Sequence, residues 1–197
     1  MLPEKIVYFA LFLNCVGYLF YIKSIYSGHA KPNLVSWIMW MLAPFIGVFF
    51  QLKAGAGLSV LPVFMAGFGP VIIISVALLK KNALWKITSF DLLCGGISLA
   101  ALLLYVLTHN LSISIFFAIL SDALAFVPTF IKSWKHPESE SPAGYSFCIL
   151  SNIIGLLIIK DWTFTIYSFG VYLVVFNIAE VSILYRTKIF RREVISA

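Results

Sequence analysis

Asp122 stands ten residues into the otherwise uncharged run 112–131. In a run that crosses a bilayer, an ionised carboxylate at that depth costs at least about 2.5–3.5 kcal/mol. It must turn inward, where it can accept hydrogen bonds from a solute, exchange a proton, or tie two helices together. Asn14 lies at nearly the same depth of run 6–22, Asn152 midway along 143–159, and Asn177 just past the middle of 162–185. One carboxyl and three amides near one plane would suit a polar solute, which must recover the hydrogen bonds it loses on leaving water. Taken singly, each amide is equally readable as an interhelical hydrogen bond worth about 0.6–2 kcal/mol. Glu180 follows Asn177 by three residues, on the same helical face. It is a candidate gate or proton path, the plainer reading being a carboxylate that reaches the interface or pairs with Lys132.

Trp37 and Trp40 share one helical face and could stack on a ring or sugar. Trp37, near the end of its run, reads as an interfacial anchor, whereas Trp40, a turn deeper, is open between solute stacking and core. Pro44, Pro62, Pro70 and Pro128 lie inside apolar runs, where each removes a backbone hydrogen bond and permits a hinge or a static kink. Pro44 and Pro128 are the gating candidates. Lys23 and Lys132 read as side chains snorkelling to the interface, with a gate as the alternative.

Catalysis lacks its residues. There is no HExxH, no protease-like pair of aspartates and no Ser-His arrangement, so an enzyme is not expected. The turn Gly55-Ala56-Gly57 has no following GK[ST] and is not a phosphate loop. Cys15, Cys94 and Cys148 lie in separate apolar runs without a CxxC or a nearby histidine, and His29, His109 and His136 read as solvated loop residues. No metal or other cofactor is implied. A retinal-type photoreceptor would need a lysine in the last run, and 162–185 contains none.

The elements that position these residues follow from composition. The chain has 197 residues, 61% hydrophobic and only 11% charged, with a mean hydropathy of +1.00. A soluble core does not absorb so much apolar surface. Hydrocarbon leaves no backbone amide unpaired, and runs this long without alternation are helices rather than barrel strands. The expected spans are 6–22, 34–51, 58–79, 92–107, 112–131, 143–159 and 162–185. A break at Thr108-His109-Asn110 is required because 92–131 is too long for one crossing. The opening residues are read as a retained span, since Glu4 offsets Lys5 and no small-residue cleavage site follows.

The net charge of +6 does not point to nucleic acid, because the basic residues are scattered between apolar runs. On a seven-span reading one side collects eleven of them: Lys23, Lys31, Lys80, Lys81, Lys86, Lys132, Lys135, Arg186, Lys188, Arg191 and Arg192. The other side has only Lys5, Lys53 and Lys160. Positive loops stay in the cytoplasm, which sets the N-terminus outside and the C-terminus inside.

An internal echo joins the two halves. FYIKS at 20–24 returns as TFIKS at 129–133, each followed by a short polar loop containing a proline. Residues 1–88 and 111–197, the second with a short basic tail, then form two three-helix repeats of one membrane domain, linked by a helix within 89–110. An even number of crossings separates the echoes, so the repeats run the same way through the bilayer. DALAFVPTFIKSW at 122–134, PESE at 137–140 and PNLVSWIMW at 32–40 carry a resemblance to the MtN3/PQ-loop superfamily. That group includes the SWEET sugar facilitators, vitamin transporters of the PnuC type and lysosomal cystine carriers, and this chain looks most like its small bacterial members. Thr129 stands where the family has its glutamine, Leu19 near the place matching Pro128, and Val71 opposite Asn177.

The resemblance implies an all-α, SWEET-like membrane protein of seven helices, in the inner membrane of a bacterium. It would be a secondary carrier that passes a small polar solute (a sugar, vitamin or amino-acid-like metabolite) through a pocket lined by Asn14, Trp40, Asp122, Asn152 and Asn177. A receptor or sorting protein without transport is the alternative, since a seven-helix relative of this architecture, the KDEL receptor, binds peptide signals. Small solute and membrane lipid are the expected partners, with a second copy of the chain left open. Reporters fused to each end test the topology: the N-terminal one should be reached from outside the cell and the C-terminal one only from the cytoplasm. Both on one side would mean an even number of crossings.

Overall fold

Asparagine and threonine caps mark where the second, fourth and fifth helices begin. The computed structural model describes residues 3–80, 83–106 and 110–196, and the side chains of all of these except 105, 106 and 187–196. The order is α1 (Val7–Tyr26, entered through a 3-10 turn at Glu4–Ile6), α2 (Leu34–Lys53), α3 (Leu61–Leu79, after a 3-10 turn at Leu58–Val60), α4 (Ser89–Val106), α5 (Leu111–Lys135), α6 (Pro142–Leu157) and α7 (Phe164–Ser196). Asn33 Oδ1 accepts the amides of Val35 and Ser36, and Asn110 Oδ1 those of Ser112 and Ile113. Each satisfies two of the donors that a helix start leaves orphaned. The Asn110 cap starts α5, so the expected break exists, although Thr108 and His109 lie outside the described residues.

Several boundaries move outward from the expected ones. Helix α4 starts at Ser89 because Thr88 and Asp91 bond reciprocally, the Thr88 amide to Asp91 Oδ2 and the Asp91 amide to Thr88 Oγ1. Helix α1 continues to Tyr26, and α7 to Ser196, so the basic tail begins as helix. Lys81 and the side chains of Lys188, Arg191 and Arg192, which entered the charge count, lie outside the described residues.

Five segments are long and apolar enough to cross a membrane: Glu4–Tyr26, Leu34–Lys53, Leu58–Leu79, Leu111–Lys135 and Phe164–Arg186. Two shorter apolar helices, Ser89–Leu104 and Pro142–Leu157, complete the seven. The polarity is that of a protein in lipid. Phe9, Phe12 and Leu19 of α1 and Leu92, Leu93 and Leu103 of α4 are exposed, whereas Asn14, Gln51, Asp122, Asn152, Asn177 and Glu180 are buried.

Helix α3 packs on both α1 and α2, and α7 on both α5 and α6. Across the bundle α1 packs on α6 and α2 on α5, while α4 leans on α5 and α2. Lys80 Nζ donates to the carbonyl of Ile25, the Trp85 amide to that of Pro32 and the Lys31 amide to that of Ser139. These bonds gather the α1–α2, α3–α4 and α5–α6 connections on one face, hereafter the basic face. At the opposite face Gln51 Nε2 donates to the Ile166 carbonyl. There the exposed Lys160 pairs with Glu4, whose hydrogen bond raises the lysine's pKa.

Small residues set the helix spacing. A methyl at Gly47 of α2 would lie 2.7 Å from a ring carbon of Phe169 in α7, whose side chain is fully buried. Gly47→Ala should therefore destabilise the protein by about 1–3 kcal/mol, read as a lower melting temperature in detergent. Gly96→Ala, whose new methyl meets nothing, should leave the melting temperature unchanged or slightly raised.

Candidate functional site

Prolines in two helices open the backbone at the centre of the bundle. Pro44 in α2 and Pro70 in α3 cannot supply the amides that the carbonyls of Trp40 and Ala66 would ordinarily accept. All four residues line a cavity of about 60 Å³, room for roughly four water molecules. α1 contributes Tyr18 and Tyr21, α5 Asp122 and Phe126, α6 Tyr145 and Cys148, and α7 Leu173 and Asn177. Both three-helix groups thus supply its walls.

Asp122 is 1% exposed. Its Oδ2 accepts the Tyr172 hydroxyl at 2.8 Å, while Oδ1 has no protein partner. The Trp40 indole donates to the Asp122 carbonyl at 3.4 Å and its ring packs on Phe126, centroids 4.3 Å apart. The Trp37 indole nitrogen is buried without an acceptor. Two residues of the cavity wall, Asp122 and Trp37, thus each carry a buried polar atom without a protein partner, set among aromatic rings. A buried polar group left unmatched costs about 1–3 kcal/mol, so both atoms call for water or a ligand.

The sequence-derived candidates divide. Asp122, Trp40, Asn177 and Pro44 line the cavity. Asn177 Nδ2 is turned back to the Leu173 carbonyl one turn earlier. Asn14 and Asn152 are not among the lining residues. Asn14 Nδ2 donates to Ser151 Oγ at 2.5 Å across the α1–α6 seam, and Asn152 Nδ2 to the carbonyl of Cys148. Equal depth did not give an equal heading, because Asn14 and Asn152 face the seam on which α1 and α6 pack. Pro128 is buried in α5, and neighbouring Thr129 donates to Ser36 Oγ of α2 at 3.1 Å.

Trp37 does not face the interface as an anchor. It is 6% exposed and packs on Tyr21 and Trp40. Lys132 does not snorkel: it is buried in an ion pair with Glu140 and donates to the Lys31 carbonyl at 2.7 Å, whereas Lys23 is exposed. Nor does Glu180 pair with Lys132. Its Oε1 accepts the Ser133 hydroxyl.

Around Lys132 lies a network that sequence reasoning missed. Glu140 Oε2 accepts the hydroxyls of Tyr21, at 2.6 Å, and Tyr145, at 3.0 Å, while Oε1 takes the ammonium. Trp85 covers that ammonium with its ring centroid 5.4 Å away. Tyr21 and Tyr145 also line the cavity, so this cluster adjoins it on the basic-face side and joins α1, α5 and α6 there. Glu140 was hidden because a carboxylate in a short polar loop reads as solvated, and the tyrosines because their rings count as apolar. Comparison with family models, curated proteins and solved structures returned no match for the chain.

The side chains of Lys132 and Glu140 are 2% and 0% exposed. Removing one member of such a pair strands the other charge at a cost of about 3–5 kcal/mol. Lys132→Met should destabilise by that amount in detergent unfolding. Adding Glu140→Gln should recover most of the loss, because the amide oxygen still accepts from the two tyrosines. Equal stability of the single and double variants would show that the pair is not a unit.

Proposed function

We propose that this chain is a secondary carrier that moves a small polar solute across a bacterial inner membrane by alternating access. The observation that carries the reading is the central cavity, with Asp122 and its unsatisfied Oδ1 in the wall and the Lys132–Glu140–Tyr21–Tyr145 network adjoining it on the basic-face side. A cavity at the centre of a membrane bundle forgoes packing contacts, and a filled apolar core would be cheaper where only packing is needed.

The packing supports two parallel repeats. Exchanging α1, α2 and α3 for α5, α6 and α7 converts the α1–α6 contact into α5–α2, and the α2–α3 contact into α6–α7, all of which are present. On this reading α4 is the linker, all seven helices cross, and the basic face is cytoplasmic with the N-terminus outside. The two halves then rock about a fixed central site, and the network at Glu140 is the inner gate in its closed state. Pro44, bordering the cavity, and Pro128, below Asp122 in α5, are placed to let their helices bend during that motion.

Reconstituted vesicles test the proposal. Counterflow of labelled sugars, amino acids, amines and vitamins should reveal saturable exchange of at least one class, and Asp122→Asn should lower it by about tenfold or more. Absence of saturable flux across the whole panel would remove the carrier reading.

A further inference from the structure

Resting on that carrier reading, we infer that the cavity selects a small organic cation bearing an aryl or N-alkyl group, and that Asp122 holds either that cation or a proton. The lining is rich in rings, and apart from the Trp37 N–H their polar handles are already committed. The Tyr21 and Tyr145 hydroxyls go to Glu140, the Tyr18 hydroxyl to the Met65 carbonyl at 2.5 Å, and the Trp40 N–H to the Asp122 carbonyl. What these residues show the cavity is mainly the electron-rich faces of their rings, which attract cations. A sugar offers many hydroxyls and would leave most of them unmatched here.

Charge points the same way. Among the described residues no lysine, arginine or histidine lines the cavity. Titratable neighbours on the facing helices are the tyrosines of α1, α6 and α7 and Cys148 of α6, while α2 and α3 contribute none to the lining. Farther along, Lys132 is taken by Glu140, and Glu180 accepts from Ser133 at Oε1 while its Oε2 has no partner. On α4, which packs against α5, Asp91 is held by Thr88 and buried Cys94 is not a lining residue. Among the described residues an ionised Asp122 thus has no counter-charge of its own, and an uncompensated charge in such a place is costly. A proton on the carboxyl removes the charge, and a bound cation offsets it. Entry of the cation at the protonated carboxyl gives carboxylate and cation in contact, with one proton released to solvent.

The test uses full-length protein in weakly buffered detergent with benzylammonium and choline as probes. Their neutral isosteres, benzyl alcohol and 3,3-dimethylbutan-1-ol, and glucose serve as the comparison. The cations should raise the melting temperature and change the fluorescence of Trp37 and Trp40, binding about 30-fold or more tighter than the isosteres. Up to one proton should be released per bound cation, and Asp122→Asn should abolish that release, whereas Asp122→Glu should retain it. If the asparagine variant does not fold, the isostere ratio and the wild-type proton count decide. Isosteres or glucose binding as well as the cations would overturn the inference while leaving a carrier of neutral solutes. Cation binding without proton release would overturn the exclusive occupancy of Asp122. No binding by any class, together with no flux in vesicles, would remove the carrier reading itself.

Discussion

Polar groups inside this bundle have no surrounding water to fall back on, and that constraint orders the rest of the molecule. Every amide, hydroxyl and carboxyl that faces inward must find a protein partner, a trapped water or a ligand. The chain meets this demand in three ways at different depths. Along the helix seams, short bonds such as Asn14 to Ser151 and Thr129 to Ser36 pair side chains directly. At the basic face, Lys132 and Glu140 neutralise each other and absorb two tyrosine hydroxyls and a backbone carbonyl. Several buried polar atoms stay unpaired, and among the described residues Asp122 and Trp37 are the ones that carry such an atom and also line the central cavity.

The helices were legible in the sequence because the bilayer writes a coarse signal. Uncharged runs of about 20 residues, separated by lysines, prolines and asparagines, mark elements whatever their neighbours are. Asn110 is a case where one cap residue settles a doubtful break between two apolar runs. Depth was legible for the same reason, and the burial of Asp122, Asn14, Asn152, Asn177 and Glu180 follows from it. Heading was not legible. Depth fixes how far along its helix a residue lies, but the rotation of each helix about its axis is set by packing, and residues such as Gly17 and Gly47 determine that rotation through large partners. Asn14 and Asp122 share a level yet serve an α1–α6 seam and a cavity respectively. Partner choice was equally hidden: Lys132 had Glu180 within plausible reach and takes Glu140 instead, from the loop that follows its own helix.

The network at the basic face has an energetic character suited to the role proposed for it. A gate must be stable when shut without making the open state inaccessible, which limits the gap between the two states to a few kcal/mol. An apolar plug meets that limit poorly, since opening would expose hydrocarbon surface to water at about 25 cal/mol per Å² with nothing in return. Lys132, Glu140, Tyr21 and Tyr145 behave differently. Shut, they are fully paired; opened, all four are groups that water solvates well. The desolvation lost on closing and the attraction gained nearly cancel for a buried ion pair, so neither state dominates through this cluster alone. The balance then passes to what occupies the cavity next to it, because Tyr21 and Tyr145 belong to both. On the proposed carrier reading, a solute that shifts either ring would act directly on the hydroxyls that hold Glu140, and the occupied and empty cavities would have different gate energies without any longer chain of coupling.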